Sequence, residues 1–137
     1  MANDPKINYA WATVGVDALV DEFNGGGVLS FYEDNGDGIP ANADAAITDQ
    51  NLLCTINTPA PSFGAGVNGV APLAGAWSGA VILGGEPKFF RLVSGGVTGQ
   101  GTVGLVAGDF DLEFAVVAWL LGGTVEITTF DTTLPRE

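Results

Sequence analysis

Downstream of Gly27 the apolar residues recur at every second position, and turn residues interrupt them at short intervals. Period two with frequent punctuation is the pattern of short antiparallel strands. The stretch DFDLEF shows it most plainly, with Phe110, Leu112 and Phe114 on one face and Asp109, Asp111 and Glu113 on the other. Eight strands are expected, over 28–33, 51–57, 66–73, 77–83, 88–94, 102–107, 109–117 and 124–134. The last breaks phase: Val125 and Ile127 share a face while Phe130 and Leu134 have the opposite parity, which a bulge near Thr128 or Thr129 would reconcile. Before Gly27 the period is nearer four, and Trp11, Val14, Ala18, Leu19 and Phe23 predict a helix over 9–23 that NGGG stops. Asp21 and Glu22 sit at its C-terminal end, the wrong end for the helix dipole, so the helix depends on burying Trp11 and Leu19. The expected fold is therefore mainly β: an antiparallel β-sandwich, jelly-roll-like, of about eight strands with one short N-terminal helix packed on it, in a single domain over 1–137.

Sixteen Asp and Glu face only Lys6, Lys88, Arg91 and Arg136, a net charge of -12 that repels phosphate backbones and makes nucleic acid an unsuitable partner. The chain has no histidine. That removes the Ser-His and Cys-His nucleophile pairs and most zinc sites, leaving carboxylates as the groups for an enzyme reading. An apolar content of 47% argues against disorder. The longest apolar run, AVVAWLLGG, falls far short of the ~20 residues of a spanning helix, so no membrane span is expected. The opening MANDPKINYAWATV has acids and a proline where a secretory signal needs a basic start and an apolar core, so the chain is expected to stay where it is made. The lone Cys54 suits a reducing compartment.

Four motifs invite a chemical reading. GQGTVG, Gly99 to Gly104, has the spacing of a dinucleotide-binding turn, but a strand rather than a helix follows it, so VTGQGTVGLV reads as a hairpin. The acids of DFDLEF could supply a glycosidase pair in Asp111 and Glu113, yet nothing local offers the apolar pocket that a protonated carboxylic acid needs, and a solvated strand face is the better reading. In KFFRLV, alternation buries Phe90 and Leu92 and turns Phe89, Arg91 and Val93 to the other face, either as an interface or as an edge strand with a gatekeeping charge.

The fourth motif is FYEDNGDGIPANAD. Counted from Glu33, it places Asn35, Asp37 and Asp44 at calcium-loop positions 3, 5 and 12, with Gly38 at 6. The first position has Glu for Asp, the last has Asp for the bidentate Glu, and Ala41 and Pro40 stand at 9 and 8. DNGDGIPANAD resembles the calcium loops of thrombospondin type 3 repeats with several acids missing. A turn rich in Asn, Asp and Gly is the preferred reading, with calcium as the alternative and no cofactor expected. A calcium-dependent glycan-binding sandwich, as on a neck, tail surface or fibre, would use this loop with Trp11, Trp77 or Trp119 as a stacking platform.

A second resemblance covers nearly the whole chain. The helix followed by NGGGVLSFYEDNGDGIPANADAAITDQNLLCTI, then PSFGAGVNGVAPL, FFRL, GTVG, DFDLEF and GGTVEITTFDTTLP, resembles a group of small virion structural proteins of tailed bacteriophages. In that group a short helix precedes N-G-G, a strand, a loop ending P-x-x-A-D-A-A, a strand with paired Leu, and G-G-x-V-x-I-x-x-F ahead of a terminal Pro. Here those are Asn24 to Gly26, Pro40 to Ala46, Leu52 with Leu53, and Gly122 to Phe130 with Pro135. The resemblance implies a capsid decoration, or cement, protein on the outer face of an icosahedral head, made in the host cytoplasm. Its partners would be the major capsid protein and copies of itself, a trimer being one arrangement. No catalytic residue is implied. The anchors expected on this reading are the segment 2–9, with Asn3, Lys6 and Tyr9, and the face of Phe89 and Arg91.

Overall fold

The central strand, β1 (Gly27–Glu33), alternates as expected: Leu29 and Phe31 are wholly buried, and Ser30 and Tyr32 turn to the opposite face. The structure, a computed structural model, describes residues 25–65, 67, 70–71, 73–75, 77–94, 97–108, 112–127 and 132–133. The expected helix over 9–23, Phe110, and the bulge expected near Thr128 or Thr129 with Phe130 and Leu134 lie outside them. The other strands are β2 (Asn51–Thr58), β3 (Val70–Ala71), β4 (Trp77–Ala80), β5 (Phe89–Ser94), β6 (Val97–Leu105), β7 (Leu112–Phe114), β8 (Thr124–Ile127) and β9 (Thr132–Thr133). The protein is mainly β. Among the described residues seven strands run three residues or more, while β3 and β9 form a two-residue ladder.

Five strands form one sheet in the order β2-β1-β5-β6-β7, and β4 pairs with β8. The β4–β8 ladder continues from the free edge of β2, where Cys54 bridges Val81 and the Leu53 carbonyl accepts the Ile82 N–H at 2.8 Å. The curl brings Trp77, Val125 and Ile127 into one core cluster with Leu29, Phe31, Phe90, Leu92 and Val103. Phe31 is its aromatic centre. Its ring meets Phe114 edge-on at 5.9 Å and Trp119 at 5.2 Å, and lies 6.5 Å from Phe90.

Two expectations are corrected. The pairing is not all antiparallel, because β7 runs parallel to β6, with Val103 opposite Leu112 and Leu105 opposite Phe114. A tight turn starts the return: Gly108 N donates to the Leu105 carbonyl at 3.0 Å, and Ala107 takes a positive φ of 70°. GQGTVG is strand interior rather than a turn. Gly99 and Gly101 pair with Leu92 and Phe90, and the ladder runs on to Ser94 opposite Val97. The described residues also show a bulge in β2, where Phe31 pairs with Cys54 and Tyr32 with Leu52. Leu53 is the extra residue, so Leu53 and the neighbouring Cys54 are both buried despite their adjacent positions. Burial pushes the Cys54 thiol up from its ordinary value, opposite to what a nucleophilic thiolate requires.

β4 lies close against β2 because Gly79 has no side chain: a Cβ there would collide with the Thr55 carbonyl and meet Ile56 Cγ1 at 2.9 Å. Backbone cannot rotate aside as a side chain can, so Gly79→Ala should cost about 2 kcal/mol of unfolding free energy or more, in the range of an overpacked core. Gly25→Ala, whose Cβ meets nothing within 4 Å, is the control and should stay close to wild type in chemical denaturation. Equal stability of the two variants would show that the approach of β4 to β2 is not tight.

Candidate functional site

The β1-β5-β6 sheet has two covered faces. Leu29, Phe31, Phe90, Leu92 and Val103 point into the core, while a row formed by Ser30, Arg91 and Gln100 crosses the opposite face. Over that row folds the acidic segment 34–50. Arg91 Nε donates to Gln100 Oε1 at 2.9 Å, and its Nη2 donates to the carbonyls of Ala45 at 2.6 Å and Asn42 at 3.2 Å. Gln100 Nε2 reaches the Pro40 carbonyl at 2.9 Å. From the other end Gln50 Nε2 donates to the Gly38 carbonyl at 2.6 Å. Arg91 and Gln100 therefore strap three loop carbonyls to the sheet, and Gln50 holds a fourth within the loop.

The loop's own acids and amides close its turns. Asp34 Oδ1 accepts the N–H groups of Gly36 and Gly38 at 2.8 Å each, and both glycines adopt the positive φ such a tight turn requires. Asn42 Oδ1 accepts from Asp44 N and Ala45 N at 2.9 Å. The Thr48 hydroxyl donates to Asp37, and Thr48 N donates to Gln50 Oε1 at 2.9 Å. Glu33 is drawn elsewhere, accepting from Asn51 Nδ2 at 2.9 Å and lying against Gly85. Of the calcium candidates, Glu33 thus faces Asn51, Asp37 faces Thr48, and Asn35 and Asp44 are exposed. Among the described residues no three Cys, His, Asp or Glu converge.

The outward exposure expected of Phe89 on β5 is also corrected. Phe89 is wholly buried, because its ring stacks on Tyr32 at 5.0 Å and 13°, and Arg91 is half-buried in the strap. Phe89 therefore offers no exposed side chain. Asn3, Lys6 and Tyr9 lie outside the described residues, as do Trp11, Asp109 and Asp111. Glu113 is exposed as alternation predicts, while Leu112 and Phe114 face the core. Trp77 is wholly buried and Trp119 is 8% exposed, which removes both as stacking platforms for a sugar. Gln50, Thr48, Asn42 and Gln100 carry the loop and were not among the expected residues; the signal for Gln100 is its position opposite Arg91, which only the register reveals.

A scan against protein-family models, a search of curated proteins and a search of solved structures each found no match.

Removing the guanidinium should release the strap. Arg91→Ala is expected to cost about 1–2 kcal/mol, the lower part of the range for charge-assisted bonds because the group is half-exposed. It should also raise amide hydrogen exchange across 34–50 while exchange in β4 and β8 stays low. Unchanged exchange in the loop would mean that Gln50 and Gln100 hold it without Arg91.

Proposed function

We propose that this chain is a structural protein of a tailed-bacteriophage virion, a capsid decoration protein that binds the outer face of the icosahedral head and braces it against the pressure of packaged DNA. Its partners on this reading are the major capsid protein and copies of itself, and its curled sheets form a jelly-roll-like sandwich. The observation that carries the proposal is where the blocks shared with such proteins fall. N-G-G leads into β1, and the P-x-x-A-D-A-A block supplies the Pro40, Asn42 and Ala45 carbonyls that Gln100 and Arg91 hold. The paired Leu52 and Leu53 sit at the bulge of β2. G-G-x-V-x-I forms the turn into β8, where Val125 and Ile127 are buried. Each block has an architectural task, so the resemblance is one of frame.

Charge supports the outer face. A body of net charge -12 is repelled by packaged DNA, and the strapped loop presents Asp34, Asp37, Asp44 and Asp49 to solvent. Quantitative mass spectrometry of purified particles should find this chain in a simple ratio to the major shell protein. A few copies per particle would move it to the neck or tail, and absence would overturn the virion reading.

The acidic loop serves this protein as a metal-free strap. Millimolar calcium and a chelator should leave its melting temperature unmoved, whereas a calcium-dependent rise reversed by the chelator would return the loop to metal binding through ligand linkage.

A further inference from the structure

The apolar run that is too short for a membrane span lies on the surface. From Ala115 to Leu121 the chain is uncharged and is not helical. Val116 is 63% exposed, Leu120 76% and Leu121 72%. Beside it runs the segment after β4, with Ile82 at 53% and Leu83 at 45%. The two segments are tied backbone to backbone: Val81 N donates to the Gly123 carbonyl at 2.8 Å, Gly122 N to the Val81 carbonyl at 3.0 Å, and Gly85 and Trp119 exchange N–H···O bonds at 3.0 and 2.9 Å. The patch is therefore continuous and held on a rigid frame. Next to it a groove of about 440 Å³ opens between Val81, Phe114, Val116, Leu120 and Val125.

We propose that this face is an interface between two copies of the chain. Five large side chains exposed to this degree offer on the order of 500 Å², the upper end for the largest patch on an ordinary monomer. Two such faces closing on each other bury on the order of 1,000 Å², the threshold of a specific interface. Charge selects the occupant as well. Two molecules of net charge -12 repel each other at most orientations, and among the described residues this face is where they meet with least repulsion, because Gln50 to Gly85 and Phe114 to Val125 contain no ionisable charge at neutral pH. An apolar ridge beside an apolar groove on one surface is self-complementary, the requirement of a two-fold contact in which the same patch serves both partners. Glu33 and Glu126 border it, and Glu86 lies beside it in an ion pair with Lys88, so like charges remain at the rim and salt should strengthen the association.

The test uses the purified full chain with no head present, so its outcome is independent of the virion reading. Sedimentation velocity across a concentration series should show a monomer–dimer equilibrium that shifts toward dimer as salt is raised. Leu120→Ser combined with Leu121→Ser should weaken it tenfold or more while circular dichroism and melting temperature stay near wild type. Because both side chains are already in water, the variant should fold; Ile82→Lys gives a second readout on the neighbouring segment. Val93→Ser, an exposed valine on β5, should leave the dimer intact. A wild type that is monomeric at every concentration and salt overturns the proposal, even if the patch then proves to bind the shell protein or an apolar small molecule. So does a dimer that survives both the double variant and Ile82→Lys, or a stoichiometry other than two.

Discussion

Everything in the fold converges on the ring of Phe31. It sits on the central strand, and three aromatic partners reach it from separate parts of the chain: Phe90 from the neighbouring strand, Phe114 from the parallel β7, and Trp119 from the irregular segment beyond. Phe114 and Trp119 also meet each other edge-on at 5.3 Å. The parallel pairing of β7 covers only three residues, and parallel ladders are the weaker kind per residue. Burial of Leu112 and contact with the Phe31 cluster therefore hold that strand more than its hydrogen bonds do. With Trp119 fixed in this way, its backbone pairs with Gly85 and joins the end of β4 to the segment before β8.

A second constraint governs the opposite face. A sheet with one face on a core would ordinarily leave the other to water, yet here Tyr32 and Phe89 stack on it and the acidic loop folds over the neighbouring row. The loop contributes carbonyl acceptors, while the sheet contributes the donors Arg91 and Gln100. Because Arg91 is bound through carbonyls, the loop carboxylates remain outside, hydrated or closing their own turns. This division explains how a segment so rich in Asp can cover a sheet without burying a carboxylate.

Much of this was legible in the sequence wherever alternation alone decides. Leu29 with Phe31, Phe90 with Leu92, Leu112 with Phe114, and Val125 with Ile127 all face the core, as their period of two requires. What was illegible depends on register or on chain that folds back. Leu53 and Cys54 defy alternation because a bulge offsets β2 against β1, and no local feature of NLLCTINT marks it. Phe89 has the parity of an exposed residue and is buried, its ring stacked on Tyr32. Arg91 as a strap depends on Gln100 standing opposite it and on carbonyls more than forty residues away in sequence. The turn reading of the acidic loop follows from its own Asp, Asn and Gly chemistry; the surface onto which it folds does not.

The distribution of charge connects these parts. A net charge of -12 opposes compaction through self-repulsion, and the cost depends on how close together the carboxylates lie. The chain keeps Gln50 to Gly85 free of ionisable charge and builds β2, β3 and β4 from that stretch, so the close approach of β4 to β2 at Gly79 brings no like charges together. The described acids gather instead in the strapped loop, around Gly85 and along the outward positions of β7 and β8, where water and salt screen them over about 8 Å at physiological ionic strength. The same segregation leaves the surface beside Trp119 without the charges that would hydrate it. An apolar face on so acidic a molecule is thus a consequence of moving the charge out of the ladders, and among the described residues it is the surface on which apolar contact meets the least electrostatic resistance.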